Sequence, residues 1–325
     1  MRPAFLICLV LLSPLAFAQD CTSYVVVNAF NPKLGIDILT LQADDLEARM
    51  DKARLEIVSS DQKYTSRLLV LVEADGIEKN DDIAEVVDTV TLMSKQAPEG
   101  QPVAYGVFAD RAVFTKGFIT DPNERAKAIS AVREEAGSMG KRVGMYDALH
   151  QGLQLFGPHQ PGDAVLLVGF PYDDKSHHSA GDIEKEFLAT GTRFMAMLRE
   201  PLSRVSRDFQ FNSHSTEKRM FDRLPDETGG AHTSFDAHFF GWGWRGYKLG
   251  VKIPDGQNKS KSAKWKLQFR GSAEGIFKKS HLYFPENLPP CSAPSTGEPQ
   301  RAQSVNKQQG IGALSLGDDH AKVPR

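Results

Sequence analysis

The sequence has few cysteines and no excess of positive charge. Among its 325 residues there are three cysteines, and 39 Lys and Arg residues are balanced by 41 Asp and Glu residues, so that the formal net charge is -2. Proteins that bind the phosphate backbone of nucleic acids carry clustered basic residues and a net positive charge. The composition therefore argues against a nucleic-acid partner.

Long apolar runs are scarce as well. The longest, Ala4–Leu12, lies near the N-terminus and precedes the small-residue site Ala16-Phe17-Ala18. This run is shorter than the ~20 apolar residues that a membrane helix needs, but it has the arrangement of a secretory signal peptide. We expect residues 1–18 to be removed and the mature protein to be exported, to the periplasm or the cell exterior. A lipoprotein anchored at Cys21 is the competing hypothesis, although Gln19-Asp20 lacks the small residues that usually precede such a cysteine.

Cysteine usage then points to one disulfide. Cys8 would leave with the signal peptide, which leaves Cys21 and Cys291 alone in an oxidising compartment. A bridge between them would close a long loop and stabilise the fold by about 2–5 kcal/mol. The alternative is two unpaired thiols.

Enzyme signatures are missing from the sequence. It has no G-x-S-x-G nucleophile elbow, no P-loop and no G-x-G-x-x-G fingerprint. The nearest string, Gly137-Ser138-Met139-Gly140, has the wrong spacing. We expect the protein not to be an enzyme.

Apolar segments of two kinds alternate in the middle of the chain. Continuous apolar runs typical of buried strands occupy Leu68–Val72, Val103–Phe108 and Ala164–Val168. Apolar residues at helical spacing occupy Ile83–Met93, Pro122–Val132 and Tyr146–Leu155. This pattern predicts an α/β domain over residues 63–235, with a mostly parallel sheet covered by helices on both faces. In such sheets the binding crevice lies outside the carboxyl ends of the strands.

Two smaller β-patterned stretches flank this domain. Residues 19–62 contain YVVVNAF and ARLEIVS, and residues 236–290 contain YKLGVKIP and SHLYFP. We predict an N-terminal β segment and a C-terminal β extension. Residues 291–325 are rich in Ser, Gln, Gly and Pro, a composition that predicts a disordered tail.

Several of these stretches, taken in order, resemble the von Willebrand factor A (VWA) related family of exported bacterial proteins. They are RLLVLVEADG, YGVFADRAVFTKGFITDPNERAKAISAV, VGMYDALHQGLQLF, AVLLVGF, FDRLPDETGGAHTSF, and YKLGVKIP with SHLYFP. The resemblance spans about residues 24–285. It implies a Rossmann-like VWA domain with small flanking β segments, and recognition of a protein partner that the sequence does not identify.

The resemblance also implies a metal-ion-dependent adhesion site (MIDAS), and here the sequence departs from the family. In the family, an Asp-x-Ser-x-Ser turn, a Thr and a later Asp supply oxygen ligands to Mg²⁺. In this chain the turn carries Glu73, Asp75 and Ile77, the Thr position is Val143, and the late Asp position is Gly169. Isoleucine and valine cannot ligate magnesium, and glycine offers only its backbone. We therefore expect a degenerate site, no cofactor, and metal-independent protein binding.

A rebuilt cation site is the alternative. Glu73 and Asp75 could combine with Asp173 and Asp174 of FPYDDKSHH to hold Ca²⁺, which tolerates irregular oxygen ligation, or Mg²⁺. The protein would then be a metal-dependent adhesion or ligand-capture receptor. The opposing hypothesis is that these acids cap the N-termini of the helices that follow them, where negative charge is stabilising.

An aromatic patch completes the set of candidate binding residues. Trp242 and Trp244 follow Phe239 and Phe240, separated by glycines. If exposed, the patch could contact sugar rings or an apolar peptide; if buried, it covers the core where the C-terminal strands dock. The candidate binding residues are Glu73, Asp75, Asp173, Asp174, Trp242 and Trp244.

Overall fold

The computed structural model describes residues 21–62, 64, 66–74, 80–169, 172–198, 216–234, 243–254 and 263–291. The strands in these residues are β1 (Cys21–Asn31), β2 (Ile36–Asp37), β3 (Leu46–Met50), β4 (Ala53–Asp61), β5 (Leu68–Glu73), β6 (Val103–Phe108), β7 (Ala112–Phe114), β8 (Ala164–Gly169), β9 (Arg193–Leu198), β10 (His232–Ser234), β11 (Tyr247–Ile253), β12 (Ala263–Lys264), β13 (Lys266–Phe269), β14 (His281–Tyr283) and β15 (Asn287–Leu288). The helices are α1 (Asn80–Gln96), α2 (Pro122–Ala136), α3 (Met145–Gln154), α4 (Ala180–Thr190), α5 (Thr216–Thr228) and α6 (Ser272–Ile276).

One sheet is the α/β sheet that the sequence predicts. Its order is β10-β9-β8-β5-β6-β7, and every neighbouring pair is parallel except β6 and β7. The central strands β5, β6 and β8 are buried along their whole length. This burial explains why the sequences of these strands are continuous apolar runs.

Helices cover both faces of that sheet, because alternate residues of each strand point to opposite sides. Along β5, Leu68 and Val70 pack in the core that contains residues of α1 and α2. Leu69 and Leu71 pack in the core that contains residues of α3, α4 and α5. The predicted three-layer α/β arrangement is confirmed.

Helices α2 and α4 begin at residues that commonly cap helices. Asp121 precedes α2, and its side chain accepts hydrogen bonds from the amides of Asn123 and Glu124. Ser179 and Asp182 form a reciprocal capping box at the start of α4, and Gly191 ends that helix at a positive φ of 67°. These caps fix the positions of the loops that precede each helix.

The second sheet corrects the expectation of small, separate flanking segments. The N-terminal strands β1, β3 and β4 join the C-terminal strands β11, β13 and β14 in one antiparallel sheet, in the order β13-β3-β4-β11-β1-β14 with β2 paired to β1. β1 and β11 pair over seven residues. Sequence periodicity reports local structure and carries no information on such long-range pairing, so the two stretches appeared independent.

Strand β1 connects the two sheets. Val25 and Val27 face the core of the antiparallel sheet. Val26 points to the other side and lies close to Gly162, where an added Cβ would be 3.0 Å from the Val26 Cγ2 atom. Asn28, on the same side, accepts a 2.9 Å hydrogen bond at Oδ1 from Nη1 of Arg193 in β9. The antiparallel sheet therefore packs against the end of the parallel sheet where its strands begin.

The predicted disulfide is present. Cys21 at the start of β1 is bonded to Cys291, with a Cα–Cα distance of 5.6 Å. Beside it, the Ser23 hydroxyl donates a 2.8 Å hydrogen bond to the carbonyl oxygen of Pro289. The bridge thus ties the first strand to the end of the described C-terminal region. In that described part of the chain, no helix has the length and apolar content to cross a bilayer.

Candidate functional site

The candidate site is the edge of the parallel sheet at which its strands end. We call it the carboxyl edge and define it by the ends of β5, β6 and β8 together with the connecting segments 109–111, 137–144 and 172–179. Ligands of open α/β sheets bind outside this edge. Its geometry therefore decides what the predicted site residues can do.

Backbone hydrogen bonds join the three segments into one surface. The Gly144 amide donates to the Ala109 carbonyl oxygen over 2.8 Å and so connects the first segment to the second. The Asp174 amide donates to the Val143 carbonyl oxygen over 2.9 Å and connects the second segment to the third. The shape of the edge is thus set by the main chain.

Glu73 and Gly169 lie against each other at the centre of this edge. Glu73 is only 4% exposed. A Cβ built on Gly169 would lie 2.6 Å from the Glu73 Cβ and in collision with its carboxylate oxygen. The Glu73 side chain therefore fills the space that an aspartate at position 169 would need. Val143, at the third predicted position, is fully buried and apolar.

Asp173 and Asp174 hold the third segment onto the start of α3. Asp173 Oδ1 accepts hydrogen bonds from the Tyr146 amide at 3.3 Å and from the Ser176 hydroxyl at 2.6 Å. Asp174 Oδ1 accepts from the Val143 amide at 2.7 Å. Both carboxylates thus accept hydrogen bonds from amides at the start of α3, which precedes them in the chain. The expectation that they cap the helix that follows them is wrong, because Ser179 and Asp182 form the cap of α4.

Asp147, in the first turn of α3, is the most heavily engaged carboxylate of the edge. It accepts hydrogen bonds from the backbone amides of His177 and His178 and from both imidazole Nδ1 atoms, at 2.9 and 2.7 Å. Partial burial raises the pKa of Asp147, but these hydrogen bonds outweigh burial and hold the pKa well below its usual range. Asp147 is therefore an anion that fixes the loop before α4.

A third histidine extends this cluster. The ring of His150 stacks on that of His178, with centroids 4.1 Å apart. Its Nδ1 atom lies 2.8 Å from Oε1 of Glu186 in α4. The loop, α3 and α4 thus share one polar network. Sequence reasoning missed it because Asp147 lies 30 positions from His177.

Some predicted site residues lie elsewhere. Asp75, Ile77 and Trp242 fall outside the described residues. Trp244 is described, and the hypothesis that it forms an exposed binding surface is wrong: it is 6% exposed and packs in the core that contains Leu68. It covers the core under the docked C-terminal strands, which was the alternative expectation.

The opposite edge of the sheet, where its strands begin, carries a different polar network. We call it the amino edge and define it by Arg67, Asp163 and Arg193, which adjoin the starts of β5, β8 and β9. Arg67 and the fully buried Asp163 form a bidentate pair with distances of 2.9 and 2.5 Å. Arg67 also donates to the carbonyl oxygens of Phe156 and Pro158. A charge directly before an apolar strand was the sequence signal for this network.

Arg193 extends the network to the antiparallel sheet. In addition to its bond to Asn28, its Nη2 atom donates to the carbonyl oxygens of Gly162 and Gly243, at 3.1 and 3.2 Å. Arg193 is buried. The amino edge is therefore an internal contact between the two sheets, whereas the carboxyl edge carries exposed side chains such as those of His177 and Arg142.

The described residues do not fit an octahedral magnesium site. Val143 has no ligating atom, Gly169 has no side chain, and Glu73 occupies the space beside it. Asp173 and Asp174 are engaged by the amides that they cap. Among the residues that the structure describes, no group of three or more His, Cys, Asp or Glu residues is arranged to hold a metal ion.

Several solved structures match the chain at low sequence identity, whereas no protein-family model and no curated protein does. An aerotolerance-related membrane protein from Bacteroides fragilis is 12% identical, with a TM-score of 0.41 over 55% of this chain and 94% of that one. BatB from Bacteroides thetaiotaomicron is 10% identical, with a TM-score of 0.41 over 54% and 94%. A von Willebrand factor type A protein from Catenulispora acidiphila is 8% identical, with a TM-score of 0.40 over 83% and 74%. Each of these TM-scores is below 0.5, so the matches are distant likenesses.

Proposed function

We propose that this chain is an exported, non-enzymatic interaction protein that recognises a protein partner at its carboxyl edge without a bound metal. The observation that carries the proposal is the packing of Glu73 against Gly169. A side chain at position 169 and the present Glu73 side chain exclude one another. The central position is therefore filled by protein atoms.

The surface around that centre supports a role in recognition. Its three segments are joined by backbone hydrogen bonds, and the His177 side chain is 91% exposed and that of Arg142 64% exposed. A surface whose backbone is already ordered loses less conformational freedom on binding. Polar groups on ordered loops at this edge suit contact with a protein surface.

The disulfide supports export. Disulfides persist in secreted and periplasmic proteins and are rare in a reducing cytosol. The bond between Cys21 and Cys291 links the two ends of the folded region, so the fold gains most from it where it stays oxidised.

Metal independence is tested by thermal unfolding of the oxidised mature chain in EDTA and then in excess Mg²⁺, Ca²⁺ or Mn²⁺. A ligand that binds only the folded state at a hundredfold excess over its Kd adds about 2.7 kcal/mol of stability. We expect no change in Tm with any ion. A rise in Tm that disappears in Asp75→Ala would favour the metal-dependent receptor and contradict the proposal.

Partner recognition is tested with a photo-crosslinking amino acid at His177 and, as a matched control, at exposed Lys266 on the antiparallel sheet. We expect protein crosslinks from position 177 and not from position 266 in the native envelope, and no loss of them in EDTA. Equal labelling from the two positions, or labelling that requires a divalent cation, would contradict recognition at the carboxyl edge.

A further inference from the structure

A cavity of about 230 Å³ lies away from the carboxyl edge, between the turn that joins α5 to β10 and strand β14. It is lined by Asp226, Gly229 and Gly230 on one side and by residues 281–284 on the other. Since α5 and β10 belong to the parallel-sheet unit and β14 to the antiparallel sheet, both parts of the fold contribute to it.

Two glycines keep one wall of the cavity free of side chains. Gly229 has a positive φ of 74°, and a Cβ built on it would lie 2.5 Å from the Pro285 nitrogen. A Cβ on Gly230 would collide with the Phe194 carbonyl oxygen. Neither position accepts a side chain, so this part of the wall consists of backbone.

Asp226 places an exposed carboxylate in the lining of the cavity. The neighbouring Glu227 is paired with Arg223 at 2.6 Å, and Glu286 is paired with Lys264. Within the described residues, no hydrogen bond or ion pair engages the Asp226 carboxylate. Of these three carboxylates, only that of Asp226 lacks an ion pair with a Lys or Arg side chain among the described residues.

One aromatic residue of β14 lies near this carboxylate. Burial and, after it, the negative charge of Asp226 raise the pKa of the Tyr283 phenol, which indicates that the two groups lie close together. Phe284 lines the cavity beside it, and the Tyr283 and His281 rings are in edge contact at 6.5 Å. A carboxylate beside aromatic rings attracts a cation through both ionic and cation–π interactions.

We propose that this cavity binds an alkylammonium group, carried either by the lysine side chain of another protein or by a small free amine. The negative charge of Asp226 selects a positively charged ligand, and the lining residues Leu282 and Tyr283 offer apolar surface for its methylene groups. The volume of the cavity limits the size of the ligand, because pockets for drug-sized ligands measure about 300–1,000 Å³. A cavity of about 230 Å³ suits one side chain and excludes a nucleotide or an oligosaccharide.

The test uses the oxidised mature chain with three probes: N-acetyl-lysine methylamide, n-butylamine and the uncharged N-acetyl-norleucine methylamide. Trp265 is a built-in reporter, because its ring is 5.2 Å from that of Phe284 and its indole N–H donates to the Pro285 carbonyl oxygen. The indole resonance of Trp265, assigned with Trp265→Phe, is followed by NMR during titration. We expect a saturable shift with the ammonium probes and none with the norleucine probe.

Two variants decide whether Asp226 is responsible. Asp226→Asn should weaken ammonium binding by about tenfold or more, as expected for loss of a charged hydrogen-bond partner. Asp222→Asn, one turn earlier on the same helix, should leave binding unchanged, and equal Tm values for both variants would show that folding is intact. Saturation by the lysine amide alone would identify a peptide ligand, and saturation by butylamine alone would identify a small amine.

Three results would overturn the proposal: no saturable shift with either ammonium probe, an equal response to the norleucine probe, or unchanged binding by Asp226→Asn. None of them bears on the crosslinks expected from His177, because the cavity and the carboxyl edge are separate surfaces. Failure here and failure of the proposed function are therefore distinguishable.

Discussion

The two edges of the parallel sheet use charged residues in opposite ways. At the amino edge, Arg67 and Asp163 are paired to each other inside the protein, and Arg193 bonds to main-chain carbonyls and to Asn28. At the carboxyl edge, the carboxylates of Asp147 and its neighbours bond to backbone amides and histidines of loops. The first network holds two sheets together, and the second shapes an outward-facing surface.

This difference indicates that the amino edge contributes more to stability than the carboxyl edge, where we propose that a partner binds. A buried charge without its partner costs far more than an exposed one, so changes at the amino edge should disrupt folding. Changes at the carboxyl edge should cost less, since the side-chain bonds of Asp147 and Asp174 are partly exposed to solvent. Binding variants should therefore be sought at the carboxyl edge.

The largest expected effect is at the amino edge. Asp163→Ala leaves the Arg67 guanidinium without its carboxylate and also removes the acceptor of the Gln160 amide. We expect the free energy of unfolding to fall by about 3–5 kcal/mol, measured by chemical denaturation of the oxidised protein. Asp88→Ala, on the exposed side of α1, is the control and should change stability by about 0.5 kcal/mol or less.

A second variant shows whether that loss reflects the unpaired charge. Arg67→Met combined with Asp163→Leu removes both charges and keeps apolar volume, and should cost less than Asp163→Ala alone. If the double variant is the less stable of the two, the pair itself, rather than the burial of a lone charge, would dominate. The unpaired charge of Arg67 would then not explain the loss of stability in Asp163→Ala.

The next effect tests the centre of the carboxyl edge. Gly169→Ala places a Cβ against the Glu73 side chain, and overpacking of this kind costs about 1–3 kcal/mol. The cost should shrink in a Glu73→Gly background, and a double-mutant cycle of unfolding free energies measures the difference. Additive effects would mean that the two residues do not compete for the same space.

The sequence was sufficient for the part of the fold that depends on local pattern. The buried strands from Leu68, Val103 and Ala164 and the helices between them are confirmed, because period and capping residues are local signals. The pairing of β1 with β11 was not predictable in this way, since the partners are more than 200 positions apart. Hence the sequence predicts two separate segments where the structure has one sheet.

The candidate site shows the same limit. The apolar nature of Val143 and the missing side chain of Gly169 were evident from the sequence, whereas the packing of Glu73 into the space beside Gly169 required the fold. Asp147 and His178 gave no signal as a pair. Their contact depends on the placement of a loop against α3, which no spacing in the sequence encodes.

The smallest expected loss of stability is that of an Asp147 variant, and this loss should depend on pH. Asp147→Asn keeps the side-chain shape but removes the charge that the imidazoles and amides of His177 and His178 engage. Because these bonds are partly exposed to solvent, we expect a loss of only about 1 kcal/mol near pH 7. This loss is well below that expected for Asp163→Ala.

The sign of the pH effect follows from the depressed pKa of Asp147. A carboxylate whose pKa is lowered by folding stabilises the native state above its unfolded value, near 3.8, and loses that contribution as pH falls toward the folded value. The stability gap between wild type and Asp147→Asn should therefore persist above pH 4 and narrow below it. Denaturation curves from pH 3 to 7 measure this gap. A gap that widens below pH 4 would show that the charge of Asp147 is not what holds the loop.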